Sequence, residues 1–421
     1  MSLEATSSPV VVDGRISCPL CAFNAHSLLD HGLTAHGLTA EEWVKAGHGP
    51  TVSPLVLEAL GGRRKAAPAP EDLTARIMGC EVPVDVNVSA EQSLKRPNGY
   101  GWATQGKAKG VAQRLVQALI RGRNVFLWGL PGTGKDAAVQ AFCAETRRPV
   151  VLISFKPGTD ISPFFYTRAI SAEGTSWEYG HVWDALVNGI EGRDGVRRAP
   201  LILLSDADRA DAAQLEWFRL LTDSIEGRIL GPDGKTVKLI SGIQFVCTAN
   251  SCGSGDARGR MASANVMDAS IMDRLGQKIE AVHLDWADEC GILRAKYPDL
   301  ASSAPWLFEG PTTADGSVSP GELGNACAAL RDAIASEEVY AEFSHRGICD
   351  VLNRASDIMF FKKNAKAPKN LLSQAFLVWL EGLPADDRLA AKRLIDPHVG
   401  GGAFADSDED ADDAGLVDIA F

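Results

Sequence analysis

Five short apolar runs set the plan of the chain: Val125–Trp128, 150–153, 201–204, 243–248 and 279–284. Each has the length of a strand rather than a helix, and helical patterns alternate with them between about 85 and 285. That alternation marks an α/β sheet. Beyond 285 only helical patterns remain, at Trp286–Lys296, Glu322–Ala335 and 347–361. Upstream, residues 15–48 gather two cysteines and four histidines into a small unit. A Gly-, Pro- and charge-rich stretch at 61–70 then reads as a linker. Downstream, Gly400-Gly401-Gly402 introduces a tail too poor in apolar residues to fold alone. The expected division is an N-terminal module (1–60), a linker (61–90), an α/β domain (91–285), a helical lid (286–398) and a disordered acidic tail (399–421).

Composition sharpens this plan. With 421 residues, 45% of them hydrophobic, the chain can bury a sizeable core over two or three domains. No apolar run approaches the ~18 residues of a membrane span, and the first residues lack the basic and apolar regions of a secretory signal. Nine cysteines are scattered, with only Cys18 and Cys21 closely paired, which suits a reducing cytosol. A cytoplasmic protein without membrane contact is therefore expected. The net charge of −12 belongs largely to the tail, whose seven acids between Asp406 and Asp418, once removed, leave the body near −5. No global field draws the body onto nucleic acid.

The most specific chemistry follows the first apolar run. Gly129-Leu130-Pro131-Gly132-Thr133-Gly134-Lys135 leads from a strand into the helical pattern of 137–142. A glycine loop in that setting curls its backbone N–H groups round a β-phosphate, and Lys135 reaches the β- and γ-phosphates. ATP is the expected ligand. The next position should offer Mg²⁺ a Ser or Thr hydroxyl, and here it is Asp136.

The run at 201–204 is followed by Ser205-Asp206-Ala207-Asp208-Arg209-Ala210. Such a strand should end in a metal-holding Asp and a water-polarising Glu. Two registers are open. One puts Ser205 at the metal position and Asp206 at the catalytic one; the other gives the metal to Asp206 and leaves Ala207 where a base is needed. The first is preferred, because the full apolar run and the following Asp208-Arg209-Ala210 fit it. In that register, hydroxyl and carboxylate have exchanged places: Asp136 in the loop would ligate the metal directly, with Ser205 behind it. The alternative is an impaired site, in which Asp136 repels the β-phosphate.

Three further residues follow in order. Asn250 ends the apolar run 243–248, where a polar side chain would touch the γ-phosphate or the lytic water. Arg274, in Met272-Asp273-Arg274, can reach a neighbouring subunit's γ-phosphate as an arginine finger. Arg346, in Ser344-His345-Arg346, opens a lid helix where a second sensor would sit over the phosphates.

These residues carry a resemblance. The chain resembles AAA+ ATPases of the MoxR class, and most closely the small ATPase subunit of aerobic cobalt chelatase. The block Thr248-Ala249-Asn250-Ser251-Cys252-Gly253-Ser254-Gly255-Asp256, continuing to Asp273-Arg274, is similar to that family's segment. The resemblance covers about 95–360 and departs at Asp136 and Ser205. It implies a parallel five-stranded P-loop sheet flanked by helices, with a helical lid. It implies a hexameric ring with ATP between subunits and Arg274 acting in trans. It also implies a partner with a von Willebrand factor A-like domain, and work on that partner or on metal insertion. Residues 172–179 and the expected hairpin at 227–241 would face the client, with Trp177 and Tyr179 open between client contact and ordinary packing. A motor in a DNA transaction and an ATP-gated scaffold with little turnover are the alternatives.

The N-terminal unit has the spacing C-x₂-C-x₉-H-x₄-H through Cys18, Cys21, His31 and His36, with His26 a competing ligand. Two thiolates and two imidazoles suit tetrahedral Zn²⁺, which would supply the folding energy of so short a segment. The pattern resembles the Ros/MucR zinc finger. Between Cys21 and Trp43 there is no Lys or Arg, so protein docking is favoured over nucleic-acid binding. The tail tip, Leu416-Val417-Asp418-Ile419-Ala420-Phe421, loosely resembles the acidic tips of single-stranded-DNA-binding proteins; a solvated tail is favoured.

Overall fold

The computed structural model describes residues 73–400 and 404, apart from 159, 172–173, 220, 223–226, 256–263, 313–317 and 362–366. Before residue 73 it describes only three short strands, Val11–Val12, Arg15–Ser17 and Asn24–Ala25, paired antiparallel in that order. The chain forms two compact units, 1–72 and 73–421. The expected zinc ligands Cys18, Cys21, His31 and His36 lie outside the described residues, as do the stretch 61–70 and the expected tail apart from Val399, Gly400 and Phe404, of which Val399 and Phe404 pack in the lid core. Among the described residues, no group of three or more His, Cys, Asp or Glu is placed to hold a metal ion. No described helix is long and apolar enough to cross a membrane.

The second unit is organised by one five-stranded sheet. Its strands are β1 (Val125–Trp128), β2 (Val150–Ser154), β3 (Leu201–Ser205), β4 (Gln244–Ala249) and β5 (Gln277–Glu280). The order across the sheet is β5-β1-β4-β3-β2, and every pairing is parallel. All five C-terminal ends therefore lie along one edge, where open α/β sheets place their ligands.

Period-two alternation splits the strands between two layers. Val125 and Leu127 of β1, Leu201 and Leu203 of β3, and Val246 of β4 face a core shared with helix α1 (Gly106–Ile120) and helix α2 (Lys135–Thr146). Phe126, Ile202, Leu204, Phe245 and Cys247 face the other core, with α3 (His181–Val187), α4 (Ala212–Arg219) and α5 (Ala269–Arg274). Strands β3 and β4 are buried throughout, being central and covered on both sides.

The lid has its own core. Its helices are α6 (Trp286–Lys296), α7 (Glu322–Ala335), α8 (His345–Phe361), α9 (Leu371–Leu380) and α10 (Ala385–Ile395).

Three local features differ from the pattern read in the sequence. The last strand spans Gln277–Glu280 rather than 279–284: an edge strand tolerates Gln277, Lys278 and Glu280, and 281–284 leave the sheet to line a cavity. Helices alone were expected beyond 285, yet Glu309–Thr312 and Val318–Pro320 pair as an irregular hairpin inside the lid. Within the stretch read as a linker, Thr74–Ile77 and Cys80–Pro83 form a hairpin that buries Ile77 and Val82 against α1 and α2. The expected hairpin at 227–241 is present as Arg228–Leu230 paired with Thr236–Lys238. Of the 172–179 segment, Gly174–Tyr179 is one strand of a hairpin with Tyr166–Ser171. There Trp177 and Tyr179 are exposed yet also pack, Trp177 edge-on to Tyr166 and Tyr179 stacked on Trp183.

Candidate functional site

The loop between β1 and α2 is bent by glycines that no other residue could replace without displacing its neighbours. Gly129 has φ +151° and Gly132 has φ +74°. A Cβ on Gly129 would run into the Ala281 carbonyl, and one on Gly132 into the Ser344 side chain. The loop is thus held between the exit of β5 and the start of α8. Pro131 and Thr133 complete it, Thr133 donating its hydroxyl back to the Leu130 carbonyl at 2.8 Å. Gly134 is left-handed and caps α2.

Lys135 opens α2 and is buried. Its ammonium has three donors, and they reach Gly129 O at 2.8 Å, Leu130 O at 3.0 Å and Asn250 Oδ1 at 3.0 Å. Burial lowers its pKa, against the raising charges of Asp136, Asp206, Asp208 and Glu342.

Asp136 stands in the first turn of α2, where a negative charge suits the helix dipole. Its carboxylate accepts from Ser205 Oγ at 2.6 Å and from Thr248 Oγ1 at 2.5 Å. Both hydroxyls are buried, one at the end of β3 and the other in β4. Each carboxylate oxygen keeps a second lone pair beyond its hydroxyl partner.

β3 ends at Ser205, and Asp206 then turns left-handed at φ +54°, a conformation Asp tolerates better than most side chains. The turn separates the two residues. Ser205 meets Asp136, whereas Asp206 Oδ1 accepts from Asn250 Nδ2 at 3.4 Å. Asp208, fully buried, accepts the backbone N–H groups of Asn250 and Ser251 at 3.0 and 2.9 Å. It fixes the chain where it leaves β4.

Above this floor lies a cavity of about 210 Å³. Gly132, Thr133, Gly134 and Lys135 line one end, and Val111, Ala112 and Leu115 of α1 give it an apolar wall. The 97–101 strap closes one side. The strap is tied to the lid where Thr104 N and Oγ1 and Gln105 N donate to the Asp288 carboxylate, at 2.8, 2.5 and 3.3 Å. An apolar wall beside a phosphate loop matches the two halves of a nucleotide.

The lid contributes a charged wall. Glu289, 1% exposed, accepts two hydrogen bonds from Arg331 (2.7 and 3.0 Å) and lies 3.0 Å from His345 Nδ1. Burial works against the Glu289 charge, but the hydrogen bonds and charges of His345 and Arg331 outweigh it and hold the carboxyl down to about 2. Burial likewise opposes the His345 charge, yet hydrogen bonds to Cys349 and Glu289 lift its pKa to about 9. His283, also lining the cavity, is pushed down to about 4 by burial and then by the Arg331 charge.

Two of the expected residues stand apart. Arg274 donates to Ser270 O at 2.6 Å and precedes the N-terminal end of β5. A four-residue strand, roughly 13 Å, separates that end of the sheet from the phosphate loop. Arg346 is exposed, and the residue beside it, His345, is the one that lines the cavity. Conversely, Thr248, Asp208, His283, Glu289 and His345 belong to the site and were not singled out as site residues from the sequence. Thr248 alone had a local signal, a hydroxyl two residues before Asn250.

Residues 124–275 match the family model of the AAA domain, dynein-related subfamily. Among solved structures, the chain is similar to NtrX from Brucella abortus (13% identity over 70% of this chain and 61% of that one, TM-score 0.41). It is also similar to a mutant of RuvB from Thermotoga maritima (12%, 72% and 75%, TM-score 0.38). A third is a putative ATPase from Cytophaga hutchinsonii (14%, 68% and 89%, TM-score 0.32). The chain spans less than two thirds of the NtrX chain. No curated protein matches it in sequence. The α/β module at 124–275 is an AAA domain, carrying a helical lid on its C-terminal side.

Proposed function

We propose that the chain is an ATP-binding and ATP-hydrolysing motor of the MoxR and cobalt-chelatase type, acting on a protein partner. The observation that carries this reading is the meeting of Lys135, Asp136, Ser205, Asp206 and Asn250 along one edge of the sheet. In it, the loop N–H groups and Lys135 hold the phosphates. The donors around Asp136 are all oxygen, the set a hard cation prefers, so the residues fit magnesium. Asp136 would hold it, with Ser205 and Thr248 fixing the carboxylate from behind. Magnesium would supply neutralisation of phosphate charge. Asp206, whose side chain is 36% exposed, would take a proton from water, and Asn250, hydrogen-bonded to both Asp206 and Lys135, would orient that water.

The exchanged pair is the sharpest test. Asp136→Thr and Ser205→Asp would each abolish most phosphate release, and the double variant would restore it. A double variant as dead as the singles would remove the exchange. Wild-type protein that binds ATP yet releases no phosphate with Mg²⁺ or Mn²⁺ would favour a nucleotide-gated scaffold, the reading that the Asp136 charge beside the phosphates supports.

The position of Arg274 far from its own loop supports a ring in which it serves the next subunit, a hexamer in this class. Mass photometry with ATP and ADP tests the ring. Arg274→Ala should leave ATP binding to single subunits unchanged while stopping turnover. Pull-down with a von Willebrand factor A-type domain tests the partner.

A further inference from the structure

We propose that His345, paired to Glu289, is the lid's cation for the nucleotide phosphates, the role that sequence position alone would give to Arg346. The inference rests on the reading of the cavity as a nucleotide site. Its ground is where α8 begins. The 17-residue helix starts at His345, and a Cβ on Gly132 of the phosphate loop would run into Ser344. The helix start therefore abuts the loop. His345 lines the same cavity as Gly132, Thr133, Gly134 and Lys135. Arg346, one residue on, is exposed and does not line it.

Charge accounts for a histidine at this point. Glu289 is the one acidic side chain among the described residues lining the cavity, and it is buried. A buried carboxylate near phosphates would repel them. Arg331 alone would neutralise it and leave the wall without net charge. With His345 as a second cation on the same carboxylate, the cluster carries a net positive charge toward the cavity. An anion then binds the lid through His345, beside the loop that Gly132 marks.

Glu289 on α6, Cys349 on α8 itself and His283 between β5 and α6 act on His345 directly, while Arg331 on α7 acts through Glu289 and His283 and Lys135 on α2 through His283. Lys296 of α6 donates to Cys349 Sγ at 3.2 Å and so acts at one remove. Hydrogen bonds to Cys349 and Glu289 hold the imidazole charged at neutral pH despite its burial.

The test is ATP affinity of the full chain, by calorimetry in Mg²⁺, between pH 6 and 8.5. Loss of one charge-assisted contact should weaken ATP about tenfold in His345→Gln. His345→Lys, which keeps the cation, should stay within about threefold. Glu289→Gln removes one of the two groups, with Cys349, that keep the imidazole charged, so its affinity should fall more steeply than that of wild type as pH rises from 6 to 8.5. A merely structural histidine would not show that profile, nor rescue by lysine. Wild type that binds ATP, with His345→Gln binding as tightly at every pH, would overturn this inference alone. Wild type that binds no ATP would overturn the nucleotide site itself.

Discussion

Two acids of the second unit, the half-buried Asp136 and the buried Glu289, are held in opposite ways. On the floor, Asp136 is held by two hydroxyls, Ser205 and Thr248. Neutral donors orient a carboxylate without cancelling its charge. In the lid, Glu289 is held by two cations, Arg331 and His345. There the charge is cancelled, and one positive charge remains over. The same functional group thus makes an anionic point next to Lys135 at the start of α2 and a cationic wall in the lid. A magnesium–nucleotide needs both, an oxygen ligand for the metal and a cation for the phosphates.

The contrast breaks most easily on stability. Removing one partner of a buried ion cluster strands the other, so Glu289→Ala should destabilise the lid by about 3–5 kcal/mol. Asp136→Ala removes a carboxylate whose partners are hydroxyls, and should cost only about 1–2 kcal/mol. Urea denaturation of the two variants reads both values. Equal losses would mean that the two acids are held alike. Next in size is the coupling of Asp136 to Ser205. With side chains in direct contact, a double-mutant cycle of Asp136→Thr and Ser205→Asp should give an interaction of at least about 2 kcal/mol in the barrier to phosphate release. Additive effects would show two independent residues rather than an exchanged pair.

Gly132 sits where floor and lid touch, and its substitution tests whether they move together. Gly132→Ala forces a positive φ on a residue with a side chain and pushes that side chain into Ser344. A cost of about 2 kcal/mol is expected, from strain and from displacing the start of α8. Faster amide exchange at the start of α8 than in wild type would locate that cost. Unchanged exchange there would separate the lid from the loop.

The floor was legible in the sequence and the lid was not, for a physical reason. A phosphate loop is local: backbone geometry over seven residues dictates its glycines, and Lys135 must follow at a fixed place. The neighbourhood of Asp136 and Ser205 was legible because each stands at a fixed offset from a strand. The apolar runs gave four of five strands to within a residue. They missed the span of β5, because Gln277, Lys278 and Glu280 hide an edge strand. In the lid, Asp288 and Glu289 are neighbours in the same helical turn, and nothing local distinguishes them. Only packing turns Glu289 inward to Arg331 and His345 while Asp288 ties down the strap at Thr104. Arg331 and His345 stand 42 and 56 residues from Glu289 along the chain. No spacing rule links them.

The smallest expected effect distinguishes the two histidines of the charged wall. The His345 pKa is raised from 6.5 to about 9. Its contribution to stability is fully present below pH 6.5 and is lost as pH rises through 9. The His283 pKa is lowered to about 4, so the folded state holds that ring neutral. Protonation of the unfolded chain then draws stability away as pH falls from 6.5 toward 4. The two losses run in opposite directions from a shared maximum near pH 6.5. Each should amount to about 1 kcal/mol after solvent screening, since neither ring is fully buried. Melting temperature followed from pH 4 to 9 should rise and then fall. His345→Gln should flatten the alkaline side alone, and His283→Gln the acid side alone. If either substitution flattened both sides, the two rings would titrate as one unit, and the lid's positive charge could not be assigned to His345.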